Sequence, residues 1–165
     1  MSDEQEEKRE ESYLSLKIED VMIKEVVTLD EDATVEEAAQ IMNKFEIGSL
    51  IIVSRGKAVG IVTERDLLKR VVAQARDARN TKVMEIMTTP LVVVEPSTDL
   101  EEAVKQMFVM KIKKLAVVDG KRLVGLVSLT DIARFHPPMI KLLKQLASKQ
   151  AAPKSIKKVI DYYVV

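Results

Sequence analysis

Two seven-residue stretches, Gly60-Ile61-Val62-Thr63-Glu64-Arg65-Asp66 and Gly125-Leu126-Val127-Ser128-Leu129-Thr130-Asp131, carry the same chemistry 65 residues apart. Each sets a glycine, a hydroxyl and a carboxylate where an apolar strand gives way to a helix. Glycine lets a ligand approach the strand end closely. The hydroxyl of Thr63 or Ser128, with the free N–H groups of a first helical turn, can meet a phosphate or sugar oxygen. Asp66 or Asp131, one turn in, can accept hydrogen bonds from both hydroxyls of a ribose. Ser/Thr-x-x-Asp also approximates a capping box, and an acid in the first turn stabilises a helix on its own. Occurrence twice, with glycine at the same place, favours the ligand.

Other chemistry is scarce. His136 is the sole histidine and stands before Pro137-Pro138, as expected of a residue ending a helix. A catalytic histidine needs a positioned partner, and no nucleophile–base pair is evident, so the chain reads as a non-enzyme. The absence of cysteine excludes disulfides and thiol catalysis. One histidine and no cysteine also argue against a zinc site. Neither a Gly-x-x-x-x-Gly-Lys-Ser/Thr loop nor Gly-x-Gly-x-x-Gly is present.

The elements that must position the signature are themselves repeated. Residues 18–67 align without a gap on residues 83–132, with 13 identities in 50 positions. Met22/Met87, Val27/Val92, Glu37/Glu102, Met42/Met107, Ile47/Ile112, Leu50/Leu115 and Gly60/Gly125 are among them. The unit is longer than a solenoid repeat of about 20–50 residues, so two copies read as paired lobes. In each copy a β-branched run (residues 26–29, 91–94) predicts a strand. Thr34-x-x-Glu37 and Asp99-x-x-Glu102 predict capping boxes opening a helix, whose apolar positions follow the helical period. Two more strands (49–53 and 58–62; 115–118 and 123–127) flank hairpin-like loops, and Thr63 or Ser128 caps a second helix. The expected fold class is α/β: two pseudo-symmetric repeats, strand–helix–strand–strand–helix, packed as one module. A lobe of about 50 residues buries too little surface to stand alone.

The predicted organisation is an acidic, disordered arm at 1–13, repeats at 14–76 and 77–136, and a C-terminal extension at 137–165. Lys+Arg and Asp+Glu are both 26, so nothing global drives the chain toward nucleic acid. The extension is basic. Met139–Lys149 reads as an amphipathic helix with Ile140, Leu143, Leu146 and Ala147 on one face, expected to pack on its own or a sister module. Lys154, Lys157 and Lys158, followed by Asp161-Tyr162-Tyr163-Val164-Val165, are expected to add a strand or turn to a neighbour. No apolar run nears the roughly 18 residues of a membrane span and no signal peptide is recognisable, so the expected location is cytoplasmic.

Met22…Val27, Ile47…Leu50 and Gly60-x-x-Thr63-x-x-Asp66, with their counterparts in the second half, resemble tandem CBS domains, the pair called a Bateman module. The resemblance covers residues 17–135. It implies a flat two-lobed regulatory module whose two clefts bind adenosine-containing ligands such as AMP, ADP, ATP or S-adenosylmethionine. It further implies a homodimer and a regulated partner protein of unknown identity. Carried over by position, one cleft (A) combines Thr63, Arg65 and Asp66 with Thr88, Val92, Ile112, Lys113 and Lys114. The other (B) combines Ser128 and Asp131 with Ile23, Val27, Ile47, Gly48 and Ser49. The implied roles are ribose for the two aspartates, phosphate or ribose for the hydroxyls, and adenine for the apolar residues.

The clefts differ in charge. Arg65, Lys113 and Lys114 in cleft A can pair with phosphate; Thr130, Gly48 and Ser49 stand at the matching positions of cleft B, which has no cation of its own. Cleft A is thus the expected nucleotide site. The alternatives are nucleic-acid binding through the basic tail, and a structural homodimer with vestigial clefts.

Overall fold

A computed structural model describes residues 16–149; the acidic arm and the tail from residue 150 lie outside the described residues. The first repeat forms β1 (Thr28–Asp30), α1 (Val35–Phe45), β2 (Ser49–Ser54), β3 (Lys57–Thr63) and α2 (Glu64–Arg70). The second forms β4 (Val93–Val94), α3 (Leu100–Met110), β5 (Lys114–Asp119), β6 (Arg122–Ser128) and α4 (Leu129–Phe135), followed by α5 (Met139–Lys149). This is the predicted element order, with the first strand of each copy shorter than its apolar run. Each repeat has one three-stranded sheet, its central strand parallel to the first and antiparallel to the third. Even the ladder irregularity recurs, at Ile52/Val53 and at Val117/Val118.

Strand alternation assigns two faces to each central strand. Leu50 and Ile52 enter a core with Val35, Ala38 and Met42 of α1, while Leu115 and Val117 enter a second core with Leu100, Ala103, Val104 and Met107 of α3. Ile51 and Ala116, each 1% exposed, belong to neither core. They lie on the opposite sheet face and are as buried as the core residues. The nearly continuous apolar strands are therefore buried on both sides, as their sequence predicted.

The lobes are interlocked by the short segments that precede each repeat. Ile18, Val21 and Met22 pack into the core of the second lobe, and Val83, Ile86 and Met87 into that of the first. Matching hydrogen bonds hold the two segments: Ile18 N donates to Thr98 O (2.9 Å) and Val83 N to Ala33 O (2.8 Å). At the far end Ile23 bridges Leu126, and Thr88 bridges Ile61, each in an antiparallel pair.

That pairing gives the signature glycines a different role from the expected one. A Cβ on Gly60 would stand 2.7 Å from Met87 Sδ and 2.9 Å from the Thr88 carbonyl oxygen; one on Gly125 would stand 2.6 Å from Met22 Sδ. The space is occupied by the incoming segment rather than left for a ligand. Backbone–backbone approach is what forbids a side chain there.

Two local expectations also change. Thr34 forms its capping box, accepting from Glu37 N (3.2 Å) while Thr34 N donates to Glu37 Oε2 (2.7 Å). Asp99 makes no cap bond; its carboxylate is held by Lys17 Nζ at 2.6 Å. The matching lysine in the first lobe, Lys82, turns to Asp32 instead, and the counterpart of Asp32 is Ser97, which offers no charge. The amphipathic helix α5 packs on its own module, but through Met139, Leu142, Leu143 and Leu146. Ile140 and Ala147 of the predicted face are exposed, because Met139, 2% exposed, anchors the first turn in the core.

Gly60→Ala or Gly125→Ala is expected to cost about 1–3 kcal/mol through overpacking, read as a lower denaturation midpoint. Thr34→Ala is expected to cost about 1 kcal/mol and Asp99→Ala distinctly less, since only the first removes a helix cap; urea unfolding of both variants compares them.

Candidate functional site

The cavity of interest lies where the turn from β3 into α2 faces the second lobe. Its volume is about 360 Å³, within the range of roughly 300–1,000 Å³ typical of small-molecule sites. Three stretches line it. Thr63, Glu64, Arg65 and Asp66 come from the β3–α2 turn, Thr88, Pro90, Leu91 and Val92 from the segment entering β4, and Lys111, Ile112, Lys113 and Lys114 from the α3–β5 connection. Ile61, Ala116 and Gly48 complete it. The pairing of Thr88 with Ile61 sets the second stretch beside the first. The left-handed cap at Lys111 (φ 56°) turns the chain out of α3 toward β5 and delivers the third.

All eight residues assigned to cleft A by position therefore surround one cavity. Gly48, assigned to cleft B, lines it as well. The positional reading missed Lys111, Glu64, Ile61, Pro90, Leu91 and Ala116. Lys111 and Glu64 adjoin named residues in the chain, and adjacency at a helix end was the available signal. Ala116 had none: its contribution is the room left where the mate in the first repeat carries the larger Ile51.

At the signature turn the capping reading holds. Thr63 N and Oγ1 both donate to Asp66 Oδ2 at 2.9 Å, and Asp66 N donates to Thr63 Oγ1 at 3.3 Å. The cap leaves Oδ1 of a side chain that is 13% exposed, with Arg70 Nη1 3.6 Å away. The same guanidinium nitrogen donates to the carbonyls of Ile86 (2.6 Å) and Met87 (3.0 Å). Arg70 so ties the carboxylate to the incoming segment, and it too was missed. Capping and ligand binding are compatible, since one cap-bound carboxylate oxygen orients the other.

The cleft B turn repeats the cap. Ser128 Oγ donates to Asp131 Oδ2 at 2.5 Å and accepts from Asp131 N at 3.0 Å. Ile23 is held against Leu126, Val27 and Ile47 pack on the core of the first lobe, and Ser49 is buried.

Electrostatics separate the two sites. Four cations (Arg65, Lys111, Lys113, Lys114) and two carboxylates (Glu64, Asp66) line cleft A, a balance favouring an anion. The repeat mates of those cations are Thr130, Glu46, Gly48 and Ser49. Cleft B is not without a cation, because Lys114 Nζ donates to Ser49 Oγ at 2.9 Å and feels the charge of Asp131. Burial pushes the Lys114 ammonium below the ordinary lysine range, and the Glu64 and Asp131 carboxylates partly restore it. His136 ends α4, and its Nδ1 is buried without a hydrogen-bond partner. No cluster of three or more metal-ligating side chains occurs among the described residues.

A family model described as the CBS domain matches residues 18–73 and 83–137. The CBS domain-containing protein YhcV of Bacillus subtilis is 38% identical over 116 residues, covering 70% of this chain and 82% of its own. A hexameric CBS-CP12 protein from bloom-forming cyanobacteria superimposes with a TM-score of 0.71 at 29% identity, covering 90% of this chain and 78% of that one. The CBS domain pair of the protein MJ0100, solved in complex with 5′-methylthioadenosine and S-adenosyl-L-methionine, gives a TM-score of 0.68 at 31% identity. It covers 74% of this chain and 96% of that one.

Arg70→Ala is expected to lower stability by about 1 kcal/mol, a charge-assisted pair of bonds discounted for partial exposure. Calorimetric melting of the variant checks this.

Proposed function

The chain belongs to the CBS-domain family, with two tandem copies, and we propose that it is a regulatory module that binds a phosphate-bearing adenine nucleotide in cleft A. The observation that carries this reading is the cavity itself. It combines the hydroxyl–carboxylate turn of Thr63 and Asp66 with four cations contributed by the opposite repeat and the α2 N-terminus. Asp66 Oδ1 accepts from ribose hydroxyls, Val92 and Ile112 hold the base, and Arg65, Lys111, Lys113 and Lys114 meet the phosphates. AMP, ADP and ATP fit this charge. S-adenosylmethionine, which complexes with the MJ0100 pair, carries a sulfonium cation that four positive neighbours oppose. The role is sensing rather than catalysis, exerted on a separate, regulated protein in the cytoplasm.

Self-association is part of the proposal. Phe45 (54% exposed), Leu68 (60%) and Val72 (69%) on the first lobe, with Val109 (81%) on the second, leave large apolar side chains on helical surfaces. A homodimer would cover them, and a CBS relative is hexameric. No helix among the described residues is long and apolar enough to cross a membrane.

A thermal-shift panel of AMP, ADP, ATP, S-adenosylmethionine and 5′-methylthioadenosine tests the reading. The nucleotides are expected to stabilise the fold by about 2.7 kcal/mol at 100 times Kd, and Asp66→Ala to remove the shift while unfolding stays cooperative. Absence of a shift with every compound would favour vestigial clefts. Loss only in Asp131→Ala would move the site to cleft B. Steeply salt-dependent binding of an oligonucleotide would favour nucleic acid instead.

A further inference from the structure

Lys114 and Ser49 are repeat mates, 65 residues apart, and the hydrogen bond between them spans the junction of the two lobes. A bond joining two-fold mates must lie at the pseudo-two-fold axis, where the starts of β2 and β5 meet. The ammonium stands where both clefts adjoin. Its side chain lines cleft A, and its nitrogen is 3.6 Å from where a Cβ on Gly48 would be. The carboxylates acting on it are Glu64, on the cleft A turn, and Asp131, of cleft B. Perfect repetition would place two lysines here, or two serines. This chain has one of each, and so a single charge between two sites.

We infer that Lys114 is a shared counter-ion that couples the clefts: an anionic ligand in cleft A draws the ammonium off Ser49 and away from Asp131, and cleft B then binds a second anion more weakly. The inference rests on the proposed nucleotide binding. An ammonium has three donors but one charge, so it can satisfy Ser49 and a phosphate by turns, not neutralise a phosphate on both sides. Moving away from Asp131, it also weakens the positive field at a carboxylate that Ser128 Oγ already holds. Linkage makes the effect reciprocal, so loading cleft B first weakens cleft A by the same factor. An uncharged adenosine compound such as 5′-methylthioadenosine does not pull on the lysine and couples the clefts far less.

Isothermal titration with AMP tests this in the full chain, in Asp66→Ala (cleft B alone) and in Asp131→Ala (cleft A alone). Each is measured with Lys114 present and as Lys114→Met, with folding verified by circular dichroism. The second AMP is expected to bind wild type at least about 5-fold more weakly than AMP binds cleft B alone, the lower end of typical coupling. That ratio should fall to about 1 in Lys114→Met, or in Lys114→Gln if the methionine variant does not fold. A ratio near 1 in wild type overturns the inference, as does coupling that survives loss of the lysine, or a lone AMP site that Asp66→Ala abolishes. These results leave nucleotide binding intact. Silence with AMP, ADP and ATP alike removes the nucleotide reading and the coupling with it.

Discussion

The fit of Met22 against Gly125 and of Met87 against Gly60 is the contact on which the remaining architecture rests. Each methionine ends a short segment that leaves its own repeat and is built into the other lobe, where a missing Cβ lets it reach the third strand. Neither core is complete without the exchanged segment, because Ile18, Val83 and Ile86 have no exposed surface at all. Two lobes too small to bury enough apolar surface separately become one cooperative unit. The same docking sets Thr88 against Ile61, so the segment entering β4 runs beside the turn that carries Thr63 and Asp66. The cleft is a by-product of the interlock.

On this symmetric backbone the chemistry is asymmetric. Hydrogen bonds repeat across the two halves with matched partners, such as Leu100 N to Leu16 O and Val35 N to Thr81 O, both at 2.9 Å. Side-chain charge does not repeat. Positions 65, 111, 113 and 114 bear cations, and their mates bear none. Duplication supplies two frames for a site, and substitution concentrates cations in one of them. Lys114, bonded to its own repeat mate, is the point at which the two frames touch. Small local choices follow the same logic: where the counterpart of Asp32 became Ser97, Lys17 took Asp99 and its helix lost a side-chain cap.

Much of the fold was legible because it depends on near neighbours. Apolar runs and their periods marked the strands and helices, and Thr34-x-x-Glu37 and Thr63-x-x-Asp66 act within one helical turn. The eight cleft A positions could be named because the chain resembles a family whose site carries over position by position; the repeat itself marked only the two hydroxyl–carboxylate turns. What could not be read involves partners distant in the chain. Nothing local reveals that Gly60 is required by Met87, that Asp99 is claimed by Lys17, or that Arg70 reaches the carbonyls of Ile86 and Met87. The buried face of α5 differs from the expected one by one rotational step, since periodicity there allows two overlapping stripes and the core pocket for Met139 chooses between them.

The sequence by itself determined the duplication, the order of elements, the two hydroxyl–carboxylate turns and the concentration of cations at one set of repeat positions, all properties of spacing and residue type. Tertiary structure alone decided which lobe each leading segment completes, why the signature glycines have no side chain, and that Lys114 is bonded to Ser49, its own repeat mate. These follow from close approach between residues that the chain keeps 27 to 103 positions apart, such as Met87 with Gly60 and Met22 with Gly125 or Leu126 with Ile23. Proximity of that kind is created by packing, and no periodicity encodes it.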